Sequence, residues 1–240
     1  MPRFPIKPGA VKNDLVKIKG SDFHHIVRVL RLDVGDKITL FEDGVEHLSE
    51  ISEIGSKELI ARILSTQKAQ TDSPLNITLC QALAKGDKLD LVVEKTTELG
   101  ISEFMPIKTE RTQIKETKRL KRWAKIASEA SKQSGRTAIP SISDPIEFSE
   151  ALALKQSDTL GILFYEHCIN PLKKEDLTGS ESIMLFIGPE GGFTDEEVTR
   201  AESSGYLIRG LGPRTLRTET AGIMAVGIIQ YLAGDLGGKG

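Results

Sequence analysis

From Leu75 onward the chain alternates between short apolar runs and longer helical patterns, and this alternation restricts the fold more than any other feature. "LNITLCQA" (from Leu75), "EFMPI" (from Glu103), "TLGILFY" (from Thr159) and "SIMLFI" (from Ser182) have the length and composition of buried strands. Between and after them, Lys88 to Leu99, Arg119 to Ser134, Asp144 to Lys155, Asp195 to Ser204 and Glu219 to Leu236 read as helices. Strands that alternate with helices predict an α/β domain with a mostly parallel sheet.

The first part of the chain reads differently. "DLVKIKG" (Asp14 to Gly20), "DKITLFED" (Asp36 to Asp43) and "KELIARILS" (Lys57 to Ser65) are strand-like. "SDFHHIVRVLRL" between the first two predicts one short helix, with Ser21 as N-cap and Ile26, Val29 and Leu30 at helical spacing. The expected unit is a small β-barrel-like module. The polar stretch "TQKAQTDSP" (Thr66 to Pro74) reads as a linker. The predicted domains are therefore 1–68 and 74–240.

Composition excludes several classes. No apolar run approaches the roughly 18–20 residues of a membrane span, and the start "MPRFPIKPGAVKND" lacks an apolar signal core. Cys80 and Cys168 read as small buried hydrophobes, which fits a reducing cytoplasm. The histidines lack ligand spacing, so no metal is expected. A net charge of −2 gives no general nucleic-acid signal; RNA binding would rest on local basic patches. In the last helix Ala221, Met224, Ala225, Ile228, Ile229 and Leu232 form an apolar face, with Ile223 and Val226 beside it. A helix this apolar is covered on more than one side, by the sheet or by a second subunit.

Two glycine-proline turns carry the chemistry. "IGPEGGF" (Ile187 to Phe193) follows an apolar strand but lacks the lysine of a P-loop. Its spacing is not that of a dinucleotide fingerprint, and Glu190 would repel a pyrophosphate. A cofactor carrying a sulfonium and no phosphate is compatible; so is a plain strand-to-helix turn with Glu190 in solvent. "LGPRTLRTETA" (Leu211 to Ala221) supplies the second turn, at Gly212 and Pro213. Arg214 and Arg217 follow, then Thr218 as a predicted N-cap and Glu219 in the favourable first turn. Two such turns after successive strands would lie side by side at the carboxyl edge of a parallel sheet, where α/β domains bind ligands.

"LFIGPEGGFTDEE" and "LGPRTLRTETA" closely resemble the two cofactor loops of the bacterial ribosomal RNA small-subunit methyltransferase E family. "KGDKLDLVVEKTTELGI", "RWAKIASEASKQSGR" and "HHIVRVLRLDVGDKI" agree, so the resemblance covers nearly the whole chain. It implies an α/β fold of the SPOUT type, a parallel sheet with a C-terminal trefoil knot, preceded by a small PUA-like β-barrel domain that helps bind RNA. The knot follows from the resemblance alone, since true knots are otherwise essentially absent. The implied activity is methylation of N3 of a uridine in 16S ribosomal RNA of the small subunit, with S-adenosylmethionine, by a cytoplasmic homodimer. Carried over residue by residue, Ile187, Gly188, Pro189, Glu190 and Gly191 form one cofactor loop. Leu211, Gly212, Leu216 and Arg217 form the next, and Leu163, Tyr165 and Glu166 the third.

Neutral uracil N3 must lose its proton, so the reaction needs a proton acceptor and a cation for the uracil oxygens. Arg217 is the first candidate cation and Arg214 the second; Glu190 or Glu219 could accept the proton, and the sequence does not choose. The densest basic stretch, Lys108 to Lys125, includes Arg111, Lys115, Arg119 and Arg122, with Arg136 beyond it. A second patch is Arg3, Lys7, His24, Arg28 and Arg31. Both are candidate RNA contacts. The alternatives are a SPOUT enzyme acting at another RNA position and a non-catalytic RNA-binding ribosome assembly factor.

Overall fold

The computed structural model describes residues 1–69, 71–114 and 116–237. Lys115 of the basic stretch and the last three residues of the predicted second domain lie outside them. The chain forms two compact units, Met1–Asp72 with Ser131–Ile139, and Ser73–Ala130 with Pro140–Gly240.

The first unit contains β1 (Arg3–Pro5), β2 (Leu15–Lys19), α1 (Gly20–His24), β3 (Lys37–Glu42), β4 (Val45–Ile54) and β5 (Glu58–Lys68). Its sheet has the order β1-β3-β4-β5-β2; β1 runs parallel to β3 and the other neighbours are antiparallel. Phe4, Val16, Ile18, Phe23, Ile26, Ile38, Leu40, Ile51, Leu59 and Ala61 make its core. Sequence patterning does not reveal β4. Its inward positions include His47 and Ser49 beside Ile51, so the strand does not alternate visibly between polar and apolar. The buried polar groups are paired: His47 Nδ1 lies 2.8 Å from Thr66 Oγ1, and Ser49 donates to the carbonyl of His47.

Ser21 is not an N-cap. Lys19 occupies that position, and Ser21 lies inside α1. The chain then continues as a π-helical turn, His25–Val29. The wider winding breaks the expected apolar face: Ile26 is fully buried, whereas Val29 is 69% and Leu30 38% exposed.

Residues 131–139 join the first unit because Asp72, in the predicted linker, binds them. Its carboxylate accepts hydrogen bonds from the Thr137 and Ala138 amides and from the Thr137 hydroxyl, and pairs with Arg136. Burial alone would raise the Asp72 pKa, but these bonds prevail and hold it below the usual value.

The second unit adds β6 (Asn76–Ala82), α2 (Lys88–Glu98), β7 (Glu103–Lys108), α3 (Leu120–Ser134), β8 (Ser141–Ile142), β9 (Ile146–Glu147), α4 (Phe148–Ala153), β10 (Thr159–Phe164), β11 (Ser182–Ile187), α5 (Asp195–Ser203), β12 (Leu207–Arg209) and α6 (Thr218–Leu232). The last turn of α3 is counted with the first unit. The sheet runs β12-β10-β11-β6-β7-β8, with β9 also pairing with β7, and these pairings are parallel. Both faces are covered. Ile183, Leu185 and Ile187 of β11 enter one core cluster with α2 and α6, while Met184 and Phe186 enter another on the opposite face. That is why these strands read as continuous apolar runs.

The predicted helix from Asp144 is shorter: β9 comes first, and α4 begins at Phe148 with a capping box between Glu147 and Glu150. The face α6 buries is also rotated from the expected one. Gly222, Ala225, Val226, Ile229 and Gln230 are buried, whereas Met224 is 46% exposed. Gly222 lets this face approach β6, since an added Cβ there would come within 2.3 Å of the Gln81 side chain.

Candidate functional site

The carboxyl ends of β10, β11 and β12 empty into one open cleft, closed on one side by the start of α6. β11 ends at Ile187 and passes into Gly188–Phe193. A Cβ on Gly188 would approach the Gly192 carbonyl carbon to 3.2 Å, and Gly192 has φ +69°, so the loop folds tightly on itself. The Gly192 amide donates to the Pro189 carbonyl at 3.0 Å. The acidic residues after the loop serve the helix. Thr194 caps α5, accepting from the Glu197 amide, while Glu197 accepts from the Thr194 amide.

Several side chains hold this loop. Lys88 Nζ pairs with Glu190 Oε1 at 2.7 Å. Arg111 donates through one guanidinium nitrogen to the carbonyls of Gly191 at 2.8 Å and Phe193 at 3.2 Å. Tyr165, at the exit of β10, donates to Asp195 at 2.6 Å. That bond, reinforced by partial burial and the Asp195 charge, raises the phenol to about 12. Glu166 packs over Gly192 so closely that a Cβ there would stand 1.8 Å from its Oε1.

Thr218 connects the two glycine-proline loops. It is not the N-cap of α6; Arg217 occupies that position, and its side chain makes no capping bond. Thr218 is the first helical residue, and its hydroxyl donates to the Gly188 carbonyl at 2.6 Å. The same oxygen accepts from Gln81 Nε2 at 2.8 Å. A threonine before a helix carries the same sequence signal whether it caps the helix or reaches across to another loop. Only the position of Gly188 separates the two.

The cleft is lined by Tyr165, Glu166, Ile187, Gly188, Pro189, Glu190, Leu211, Gly212 and Leu216 from the predicted loops, and by Arg214. Phe164, Gly192, Thr215, Thr218 and Ala221 also line it, beyond the predicted cofactor contacts. Leu163, Gly191, Arg217 and Glu219 are not on its wall. Leu163 is fully buried in the apolar layer, Gly191 faces the Arg111 side chain, and Arg217 is exposed. Leu163 points away because neighbours along a strand alternate between faces.

The two carboxylates differ. Glu190 borders the cleft. Partial burial pushes its pKa upward, but the Lys88 ammonium together with the backbone amides of Glu190 and Lys85 outweighs this, and the net shift is downward. Glu219 lies between Thr218 and Ala221 in sequence, and its Oε2 is buried without a hydrogen-bond partner.

The basic residues divide as well. Arg136 is 4% exposed and pairs with Asp72, and Arg3 is committed to Glu46 and to the carbonyls of Gly135 and Arg136. Their charges are spent inside the first unit, which removes both from a phosphate-binding face. Arg111 serves the glycine loop. Arg119 pairs with Asp87 and Asp90, and Arg122 pairs with Asp90 while remaining 63% exposed. His24, Arg28 and Arg31 are exposed on the first unit.

An RNA methyltransferase domain model matches residues 71–230, and an RNA methyltransferase PUA domain model matches 18–64. A relative from Bacillus subtilis strain 168, a ribosomal RNA small subunit methyltransferase E, is 33% identical, covering 89% of each chain. One from Synechocystis is 32% identical over 96% of this chain and 77% of its own. The crystal structure of a ribosomal RNA small subunit methyltransferase E from Neisseria gonorrhoeae, bound to S-adenosyl methionine, superposes with a TM-score of 0.89 at 33% identity, covering 98% of this chain and 99% of the other.

Proposed function

The chain belongs to the ribosomal RNA small subunit methyltransferase E family, and on that premise we propose that it transfers a methyl group from S-adenosylmethionine to N3 of a uridine in 16S ribosomal RNA. The observation that carries this reading is the cleft itself: two glycine-proline loops joined by the Thr218–Gly188 bond, with Glu190 and Arg214 on the wall.

The residues fit the donor. Gly188 and Gly212 present backbone to the cleft, and Glu190 offers a carboxylate suited to a sulfonium cation and unsuited to phosphate. When bound, S-adenosylmethionine supplies the electrophilic methyl group. Both arginines are exposed, but Arg214 borders the cleft and stabilises negative charge on the uracil oxygens; Arg217, off the wall, takes the second place, reversing the order the sequence suggests. Glu190, already neutralised by Lys88, is the poorer base. Glu190 nonetheless borders the cleft and takes the N3 proton, directly or through water; Glu219, though one of its oxygens is free of hydrogen bonds, is not on the wall.

On the first unit, His24, Arg28 and Arg31 form the RNA-facing patch; Arg122 is a separate RNA contact on the second. A homodimer, the trefoil knot and a cytoplasmic site of action belong to the same reading. Met224 and Tyr231, 46% and 66% exposed on α6, are apolar surface that a second copy would cover.

The test is to incubate the protein with small ribosomal subunits and S-adenosylmethionine, digest the RNA, and map added methyl groups by mass. A methyl group on uridine N3 is expected. Methylation of a ribose or another base would replace the N3 assignment, and cofactor binding without any transfer would sink the catalytic reading.

A further inference from the structure

We infer that Gln81 and Thr218 are positioning residues, which fasten the Gly188 loop to the first turn of α6 and so set the affinity for the methyl donor. The inference rests on the cofactor reading above.

Gln81 is the penultimate residue of β6 and pairs in register with Ile187, the last residue before Gly188. It is fully buried. By strand alternation it shares a face with Ile77 and Leu79, which pack in the same apolar cluster as α6. A buried amide on an apolar face is costly unless it is hydrogen-bonded. Here one end of it is bonded. Gln81 Nε2 donates to Thr218 Oγ1 at 2.8 Å, and Thr218 Oγ1 donates to the Gly188 carbonyl at 2.6 Å. A hydroxyl has one proton. Since that proton goes to Gly188, the hydroxyl must accept from the amide, and the direction of the relay is fixed: amide, hydroxyl, carbonyl.

The other end of the amide is not bonded. Gln81 Oε1 is buried without a hydrogen-bond partner. It lies against Gly222, where an added Cβ would come within 2.3 Å of it. Gly222 thus leaves the room that Gln81 needs, and the fold tolerates an unpaired acceptor to keep the donor in place. A purely space-filling role at this position would be better met by an apolar side chain of similar volume.

The relay joins β6, the loop after β11 and the start of α6, segments far apart in sequence. Gly188 and Thr218 line the cleft and Gln81 does not, so Gln81 acts through Thr218. Without the relay, the Gly188 carbonyl loses its anchor, and the loop must be ordered when the donor binds.

The test compares wild type with Thr218→Val, Thr218→Ser, Gln81→Met and the Thr218→Val/Gln81→Met double variant. Affinity for S-adenosylmethionine is read by calorimetry, and amide hydrogen exchange across Gly188–Gly192 is read in the free protein. Thr218→Val and Gln81→Met should each weaken binding by about tenfold and speed loop exchange. Thr218→Ser should bind within about threefold of wild type, and the double variant should be little worse than either single one, as expected for one coupled unit. In Gln81→Met, whose side chain is off the cleft wall, the donor KM should rise by more than kcat falls, separating affinity from chemistry. Folded Thr218→Val and Gln81→Met proteins with wild-type affinity and wild-type loop exchange would overturn the inference. So would fully additive losses. If wild type itself fails to bind S-adenosylmethionine, the cofactor reading falls first; altered loop exchange in the variants would still show the relay ordering the loop.

Discussion

Lys88 Nζ lies 2.7 Å from Glu190 Oε1, so the start of α2 holds the carboxylate at the centre of the "GPEGG" loop. Side chains of both are about a third or more exposed, and such a pair contributes about 1 kcal/mol or less to stability. Its effect belongs to the loop. Lys88→Met should leave the unfolding midpoint nearly unchanged and weaken donor binding several-fold. The sign with pH follows from the depressed Glu190 pKa. Removing Lys88 lets that value rise, so the acid-side loss of donor affinity should move to higher pH. Calorimetric titrations from acid to neutral pH check both.

Arg111 is a clamp on the glycine loop, since its guanidinium holds the carbonyls of Gly191 and Phe193. Arg111→Ala should weaken donor binding by about 1.5–3 kcal/mol, the scale of hydrogen bonds to a charged group. Arg111→Lys should recover little, because an ammonium lacks the planar fork. If Arg111 served RNA alone, donor affinity without RNA would be untouched, and that measurement separates the roles.

Asp72 should control the acid stability of the first unit. Its folded pKa is lowered. The stabilisation is therefore fully present above the unfolded value, near about 3.9, and is lost as pH falls through the lower folded value. Asp72→Asn should cost about 1–3 kcal/mol at neutral pH, through amides and a hydroxyl left poorly matched. The gap between variant and wild type should shrink below about pH 4. Urea unfolding at neutral and at acid pH measures it.

The basic residues should separate into two classes. Arg28→Ala and Arg31→Ala should lower RNA affinity without loss of stability. Each should flatten the slope of log affinity against log salt by about 0.7–0.9 for every phosphate no longer neutralised. Arg136→Ala should destabilise the first unit instead, because Arg136 is 4% exposed and paired with Asp72. Filter binding over a salt series, beside thermal unfolding, distinguishes the classes.

Much of this molecule is legible in one dimension. Runs such as "SIMLFI" specify strands covered on both faces, and the sheet covers them so. The two glycine-proline turns identify the cleft, because tight turns with acidic and basic neighbours carry their chemistry locally. Legibility ends wherever a residue's partner lies far along the chain or the winding changes. Val29 and Leu30 read as core, but a π-helical turn exposes them. β4 stays hidden because its inward face is polar and satisfied by Thr66 and by its own backbone. Arg136 and Arg3 look like surface charges, since sequence shows a cation but not the carboxylate it meets.

Sequence by itself determined the alternating elements, the loops and the family. Tertiary structure alone decided that Thr218 faces Gly188 and not its own helix, that Gln81 stands behind it, and that Arg214 borders the cleft while Arg217 does not. The reason is physical: periodicity and turn chemistry are local properties of the chain, whereas a hydrogen bond between β6, a loop and α6 exists only once the core has brought them together.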